Sequence, residues 1–293
     1  MADYLVIGGD GLIGQGVTAL LRARGQQVWT TTRRRDGLGP QRLHLDLAAP
    51  LGEFRPERRF DTVFFCAGRN PKQCLDDPAM SRLVNVERPL DLARRFAGEG
   101  SFVVKLSSNA VFDGSVAYRK ADAAHCPKSL YGEQHSALDH ALASAVGAAA
   151  IVRFSKVITA DLPIVAAWRR DWAAGKVVTP LSDLYFAPIT FPFIVELIAR
   201  AGLRRMPGVF QASATEDVSY GSFAHALAAR LGVAEALVKP SSMREQGLSL
   251  EAQPRYTTLD MTETVHRLKI AAPPVADAVD YLAAAALRPQ AAL

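Results

Sequence analysis

Tyr4-Leu5-Val6-Ile7-Gly8-Gly9-Asp10-Gly11-Leu12-Ile13-Gly14 places four strand-forming residues directly before glycines at 8, 11 and 14, and a helical pattern follows at once. A strand that must turn sharply into a helix needs a residue free of a Cβ at the turn. A second such residue lets backbone approach a ligand, and a third lets helix and strand pack closely. The helix then begins with unpaired N–H groups, which suit a pyrophosphate. Gly8, Gly11, Leu12, Ile13 and Gly14 are therefore the expected phosphate loop of a dinucleotide site.

Outward from this loop, short apolar runs recur at Gln27 to Thr32, Arg42 to Leu45, Val63 to Cys66, Phe102 to Leu106 and Ala150 to Phe154. Between them, Gly14 to Arg24, Pro78 to Ala97 and Ser129 to Val146 have the length and composition of crossover helices. Such alternation predicts an α/β fold: a Rossmann-type, doubly wound parallel sheet covered on both faces. After Phe154 the pattern loosens, with helices expected at Leu162 to Ala174, Phe193 to Ala201 and Tyr220 to Leu231 and a strand at Val209 to Ala212. The expected organisation is a cofactor domain over 1–155 and a smaller C-terminal α/β substrate lobe over 156–293, with some exchange of strands or helices between them.

Charged residues make up 22% and hydrophobic residues 49% of the 293, an ordinary globular balance. Cys66, Cys74 and Cys126 have no paired spacing, so neither a disulfide framework nor a metal site is expected. Strand-like residues begin at Tyr4 and no run of about 18 apolar residues follows, so the expected protein is soluble, off the membrane and cytoplasmic. The net charge of +5 is dispersed apart from Arg33-Arg34-Arg35, which argues against a nucleic-acid partner.

Cofactor choice turns on the end of the second strand, Thr30-Thr31-Thr32-Arg33-Arg34. A carboxylate there would receive the ribose hydroxyls of NAD and repel a 2′-phosphate. The hydroxyl of Thr32 and the guanidinium groups of Arg33 and Arg34 instead favour NADP(H), with NAD(H) the alternative. Asp46 and Leu47 after the third strand, and Cys66, Ala67 and Gly68 after the fourth, are further candidates for the cofactor's border.

Leu106-Ser107-Ser108-Asn109-Ala110-Val111-Phe112-Asp113-Gly114 resembles the S-T-D-Y-V-F-D-G stretch of dTDP-4-dehydrorhamnose reductases, members of the extended short-chain dehydrogenase/reductase superfamily. Ile151-Val152-Arg153-Phe154-Ser155 is similar to that family's I-V-R-T-S strand, and Gln253 to Asp260 to its R-P-x-x-x-x-L-D segment, with Gln253 in place of Arg. The resemblance implies nicotinamide-dependent reduction of a keto group on a nucleotide-sugar, a small-molecule partner. It places Ser108 at the catalytic Ser/Thr, Tyr131 at the catalytic Tyr and Asn85 in the helix after the fourth strand, beside the cofactor. Asn70, Ser108 and Asn109 fall where substrate is expected. The helices at Pro78 to Ala97 and Ser129 to Val146 match faces that form dimers in related proteins, leaving a homodimer open.

Where the family carries Tyr-x-x-x-Lys, this chain reads Tyr131-Gly132-Glu133-Gln134-His135. Tyr131 and His135 share a helix face by their i, i+4 spacing, so His135 is a candidate substitute. A histidinium there would lower the phenol's pKa only at mildly acid pH. Strand alternation directs Lys105 away from Ser108, and the direction of Lys128 is open. Loss of the lysine motivates a second reading, a non-catalytic NADP(H)-binding or regulatory homologue, as in the similar regulatory subunit of methionine adenosyltransferase. An epimerase or dehydratase fits less well, since those reactions also use the Tyr-Lys pair. Phe186-Ala187-Pro188-Ile189-Thr190 and Phe191-Pro192-Phe193 suggest either an apolar, closed substrate pocket or plain core packing.

Overall fold

The computed structural model describes residues 2–147, 149–248 and 253–287. Strands β1 (Asp3–Ile7), β2 (Gln27–Thr32), β3 (Arg42–His44), β4 (Thr62–Phe65), β5 (Phe102–Ser108) and β6 (Ala149–Phe154) are joined by helices. These are α1 (Leu12–Ala23), α2 (Pro71–Asp76), α3 (Pro78–Arg82), α4 (Arg88–Gly98) and α5 (Leu130–Ala145). A π turn at Leu83–Glu87 joins α3 to α4, so the helix expected from Pro78 onward is nearly continuous but widened around Asn85. The strands pair in parallel in the order β6-β5-β4-β1-β2-β3, which is the expected doubly wound sheet.

Beyond β6 come β7 (Val157–Ile158), α6 (Pro163–Ala173), β8 (Tyr185–Phe186), β9 (Ile189–Thr190), α7 (Phe191–Leu203), β10 (Gly208–Ala212), β11 (Val218–Ser219), α8 (Tyr220–Arg230) and α9 (Val275–Leu287). Two of these return to the main body. β10 adds a seventh parallel strand beside β6, and α7 packs with α1 over one face.

Alternation along each central strand divides its side chains between two buried layers. Val6, Phe64, Val104 and Val152 meet Val17, Leu21, Ile194 and Ile198 on one face. Leu5, Val63, Val103 and Ile151 meet Leu92, Phe96, Leu138 and Leu142 on the other. A separate core joins Trp168, Trp172, Phe186, Phe223, Leu227 and Leu282. Phe186, Ala187 and Ile189 are buried, and the Phe186 ring stacks on Tyr220 at 4.3 Å, so the apolar 186–190 stretch is core packing. Among the described residues no helix is long and apolar enough to cross a membrane.

Candidate active site

At the carboxyl end of β1 the backbone turns with Gly8 at φ +88°, and a Cβ there would lie 2.6 Å from the Ala67 nitrogen. The loop and the end of β4 are thus in direct backbone contact. Gly11 caps α1 without any side-chain bond, so the first-turn amides of Leu12, Ile13 and Gly14 lack a capping side chain among the described residues. This cradle fits a pyrophosphate for the reasons of space and polarity that the sequence suggested.

Two residues outside the sequence-based site complete its rim. The Asp10 carboxylate accepts from the Thr32 hydroxyl at 2.5 Å and from the Arg42 guanidinium at 2.8 Å. Thr32 also accepts from the Arg34 amide at 3.0 Å, so its hydroxyl is engaged within the loop. Arg33 and Arg34 are exposed, and their guanidinium groups have no partner among the described residues. Asp46 caps its own turn by accepting from the Ala48 amide, and Leu47 is buried. Burial pushes the Cys66 thiol up to about 12, so it is a neutral group at the sheet edge.

Asn85 holds this edge from beneath. Its side chain accepts from the Arg69 amide at 2.7 Å and donates to the Arg69 carbonyl at 3.2 Å and to Gln134 at 2.8 Å. Its amide is therefore committed to shaping the Ala67-Gly68-Arg69 turn. Asn70 accepts from the Gln73 amide in a capping box that starts α2, which leaves its NH2 group as the part free for a ligand.

Tyr131 meets Ser108 because α5 starts tightly against the turn after β5. Ser129 caps the helix by accepting from the Gly132 amide at 3.1 Å. A Cβ on residue 132 would sit 2.1 Å from the Ala110 carbonyl oxygen. Gly132→Ala should accordingly force the helix start away, costing about 1–3 kcal/mol as an overpacked contact. Urea unfolding midpoints measure this. Burial pushes the Tyr131 phenol up to about 12, against the opposite pull of the Ser108 hydroxyl. Ser108 accepts from the Ala110 amide and approaches Asn109 Oδ1 at 3.5 Å.

His135 lies one turn on, its ring edge-on to Tyr131 with centroids 4.4 Å apart. Its Nδ1 is 3.0 Å from the Nζ of Lys105. Alternation does send Lys105 to the opposite side from Leu106, but that is the face α5 covers, so Lys105 is directed at the site from below. Its Nζ also donates to Asp139 Oδ1 at 2.8 Å. Asp139 further accepts from Ser107 at 2.7 Å and faces Arg153 at 3.4 Å. Arg153, Asp139 and Lys105 are only 1%, 2% and 4% exposed. Burial and the Lys105 charge push the His135 imidazole down to about 3. The ring is thus held neutral, and the help a histidinium would give Tyr131 at mildly acid pH is withdrawn as well. Lys128 is exposed just before α5.

Among the described residues no group of His, Cys, Asp and Glu has the arrangement of a metal site. A cavity of about 990 Å³ lies beside Trp29, Gln41 and Arg58 at the outer edge of β2 and β3, away from Ser108 and Tyr131.

A doubly wound parallel sheet with a glycine cradle at its carboxyl edge is the architecture of the extended short-chain dehydrogenase/reductase class of NAD(P)-dependent oxidoreductases. The chain belongs to the RmlD substrate binding domain family, whose model matches residues 2–287. It is 27% identical over 270 residues to a dTDP-4-dehydrorhamnose reductase of Streptomyces griseus, covering 88% of this chain and 86% of that protein. It is 28% identical over 130 residues to the methionine adenosyltransferase 2 subunit beta of Xenopus tropicalis, covering 44% of this chain and 39% of that protein. The structure of a Bacillus anthracis dTDP-4-dehydrorhamnose reductase in complex with NADP has the same fold, with a TM-score of 0.81 at 16% identity over 96% of this chain and 97% of that one.

Proposed function

We propose that this protein is an NADP(H)-dependent reductase of a keto group on a nucleotide-linked sugar, with Tyr131 as proton donor and Ser108 as the group that orients the carbonyl. The observation that carries this reading is the placement of Ser108 and Tyr131 together at the carboxyl edge of the sheet that also holds the glycine cradle. Gly8, Gly11, Leu12, Ile13 and Gly14 would hold the pyrophosphate, Arg33 and Arg34 the 2′-phosphate, and the Asp46, Leu47 and Cys66 to Gly68 edge the adenosine half. Bound there, NADPH supplies the hydride. Ser108 donates a hydrogen bond to the substrate oxygen, and Tyr131 delivers its proton as alkoxide character develops. The substrate's nucleotide would lie toward the separate core that α6, α8 and α9 build around Trp168 and Phe223.

The test is loss of nicotinamide absorbance when the protein is mixed with NADPH and dTDP-4-dehydrorhamnose or another 4-keto nucleotide-sugar. Turnover supports the reading; NADPH binding without turnover of any such ketone overturns it in favour of a regulatory homologue. Cofactor choice is tested separately. Because the exposed guanidinium groups of Arg33 and Arg34 are unpartnered, replacing both with Ala should weaken NADPH binding by about tenfold to a hundredfold, from the loss of charge-assisted bonds. NADH binding should stay within a few-fold. Equal losses for both cofactors in a fluorescence titration would remove these arginines from the 2′-phosphate site.

A further inference from the structure

We infer that Lys105, reaching up from β5, is a positioning residue that locks His135 as a neutral hydrogen-bond donor, and that the two together replace the lysine expected one turn after Tyr131. This rests on the reductase reading for its chemical meaning, although the lock itself is a property of the free protein. An ammonium group has three donors and no acceptor. At 3.0 Å from Lys105 Nζ, His135 Nδ1 can only accept. The imidazole proton must then reside on Nε2, which points a fixed donor away from Lys105. Unassisted, a histidine would divide between two tautomers and a charged form near neutral pH.

The cation has moved rather than vanished. Lys105 and Arg153 share the single carboxylate of Asp139; burial and Arg153 pull the Lys105 ammonium down from its ordinary range while Asp139 holds it up, so with all three groups ionised the cluster carries one net positive charge. In the reductase, that charge would stabilise the phenolate left after proton delivery. A lysine at 135 combines donor and charge in one side chain; here His135 supplies the donor and Lys105 the charge. The titratable groups that face His135 are Lys105 of β5 and Tyr131 and Asp139 of α5, with Arg153 of β6 behind Asp139. His125 bonds Arg153 and stacks on His140, and Cys74 of α2 acts on Tyr131 from the other side.

Isotope-labelled histidine NMR of the full chain, without cofactor, tests the lock directly. A single Nε2–H tautomer for His135 from about pH 5 to about pH 9 is expected. An Nδ1–H form, or titration near the ordinary histidine value, overturns the inference. In Lys105→Met the His135 resonance should begin to titrate at higher pH, because the neighbouring positive charge is gone while Asp139 remains; an unchanged tautomer and titration curve would overturn it. In turnover assays, His135→Lys alone sets two ammonium groups and the Arg153 guanidinium against one carboxylate, and kcat should fall by roughly tenfold or more with little change in KM. The exchange Lys105→His with His135→Lys restores one donor and one charge and should recover most of that loss. If His135→Lys alone raises kcat, the inference fails. If the native chain reduces no ketone, the reductase reading fails, and the NMR result decides the lock independently.

Discussion

Tyr131→Phe should lower carbonyl reduction by about a hundredfold to ten-thousandfold while leaving NADPH binding within a few-fold, since general acid catalysis has that worth and the phenyl ring keeps the packing against His135. The hydroxyl is the only part removed, so α5 and its Ser129 cap should be undisturbed. Stopped-flow absorbance separates the affected step from cofactor binding. The pH profile of the native chain adds a second check. With the phenol held up at about 12 and His135 held down at about 3, neither group titrates between them. Turnover should therefore show no inflection near the ordinary histidine value of 6.5. A bell centred there would mean that His135 is charged during reduction, and a fully active Tyr131→Phe would remove Tyr131 from the chemistry.

That pH expectation differs from the one the sequence suggested, and the difference shows what each kind of information carries. The glycine spacing and the β/α alternation are local signals, and they placed seven strands and six crossover-type or C-terminal helices close to where they stand. The spacing of Tyr131 and His135 is local too. What surrounds His135 is not: Lys105 comes from a strand 30 residues earlier in the chain. Alternation told correctly which side of β5 Lys105 takes, but not that α5 lies over that side. Asp10 was hidden within the glycine loop, where its bond to Arg42 spans 32 residues. Asp217, which accepts from the backbone and hydroxyls of Thr257 and Thr258, ties the Gln253 to Asp260 segment to β11, again through non-local contacts. Helix α9 is signalled in the sequence only by its helix-favouring alanine run, Ala283 to Ala286, which blurs the apolar stripe that marks an amphipathic helix.

The largest stability effect is expected at Asp139. Asp139→Asn keeps the shape but removes the one carboxylate that Lys105 and Arg153 share. Breaking a buried pair from one side leaves its partner uncompensated, which costs about 3–5 kcal/mol. Lys105→Met in the same chain takes away the cation most dependent on that carboxylate, whereas Arg153 retains Gln211 and His125 as partners. The double variant should then be more stable than Asp139→Asn alone, the opposite of additive damage. The acid behaviour follows from the same cluster. The Asp139 carboxyl is held below its usual range by Lys105 and Arg153, despite burial, so its contribution is present above the unfolded value of about 3.9 and is lost as pH falls through the folded one. His125 and His135 are held down to about 4 and about 3, against 6.5 when unfolded. The unfolded chain therefore binds more protons across that window, and stability rises with pH through it. Urea midpoints of the native chain should climb from about pH 4 to about pH 6.5 and then level off. A midpoint independent of pH across that range would show that these imidazoles ionise freely in the folded protein.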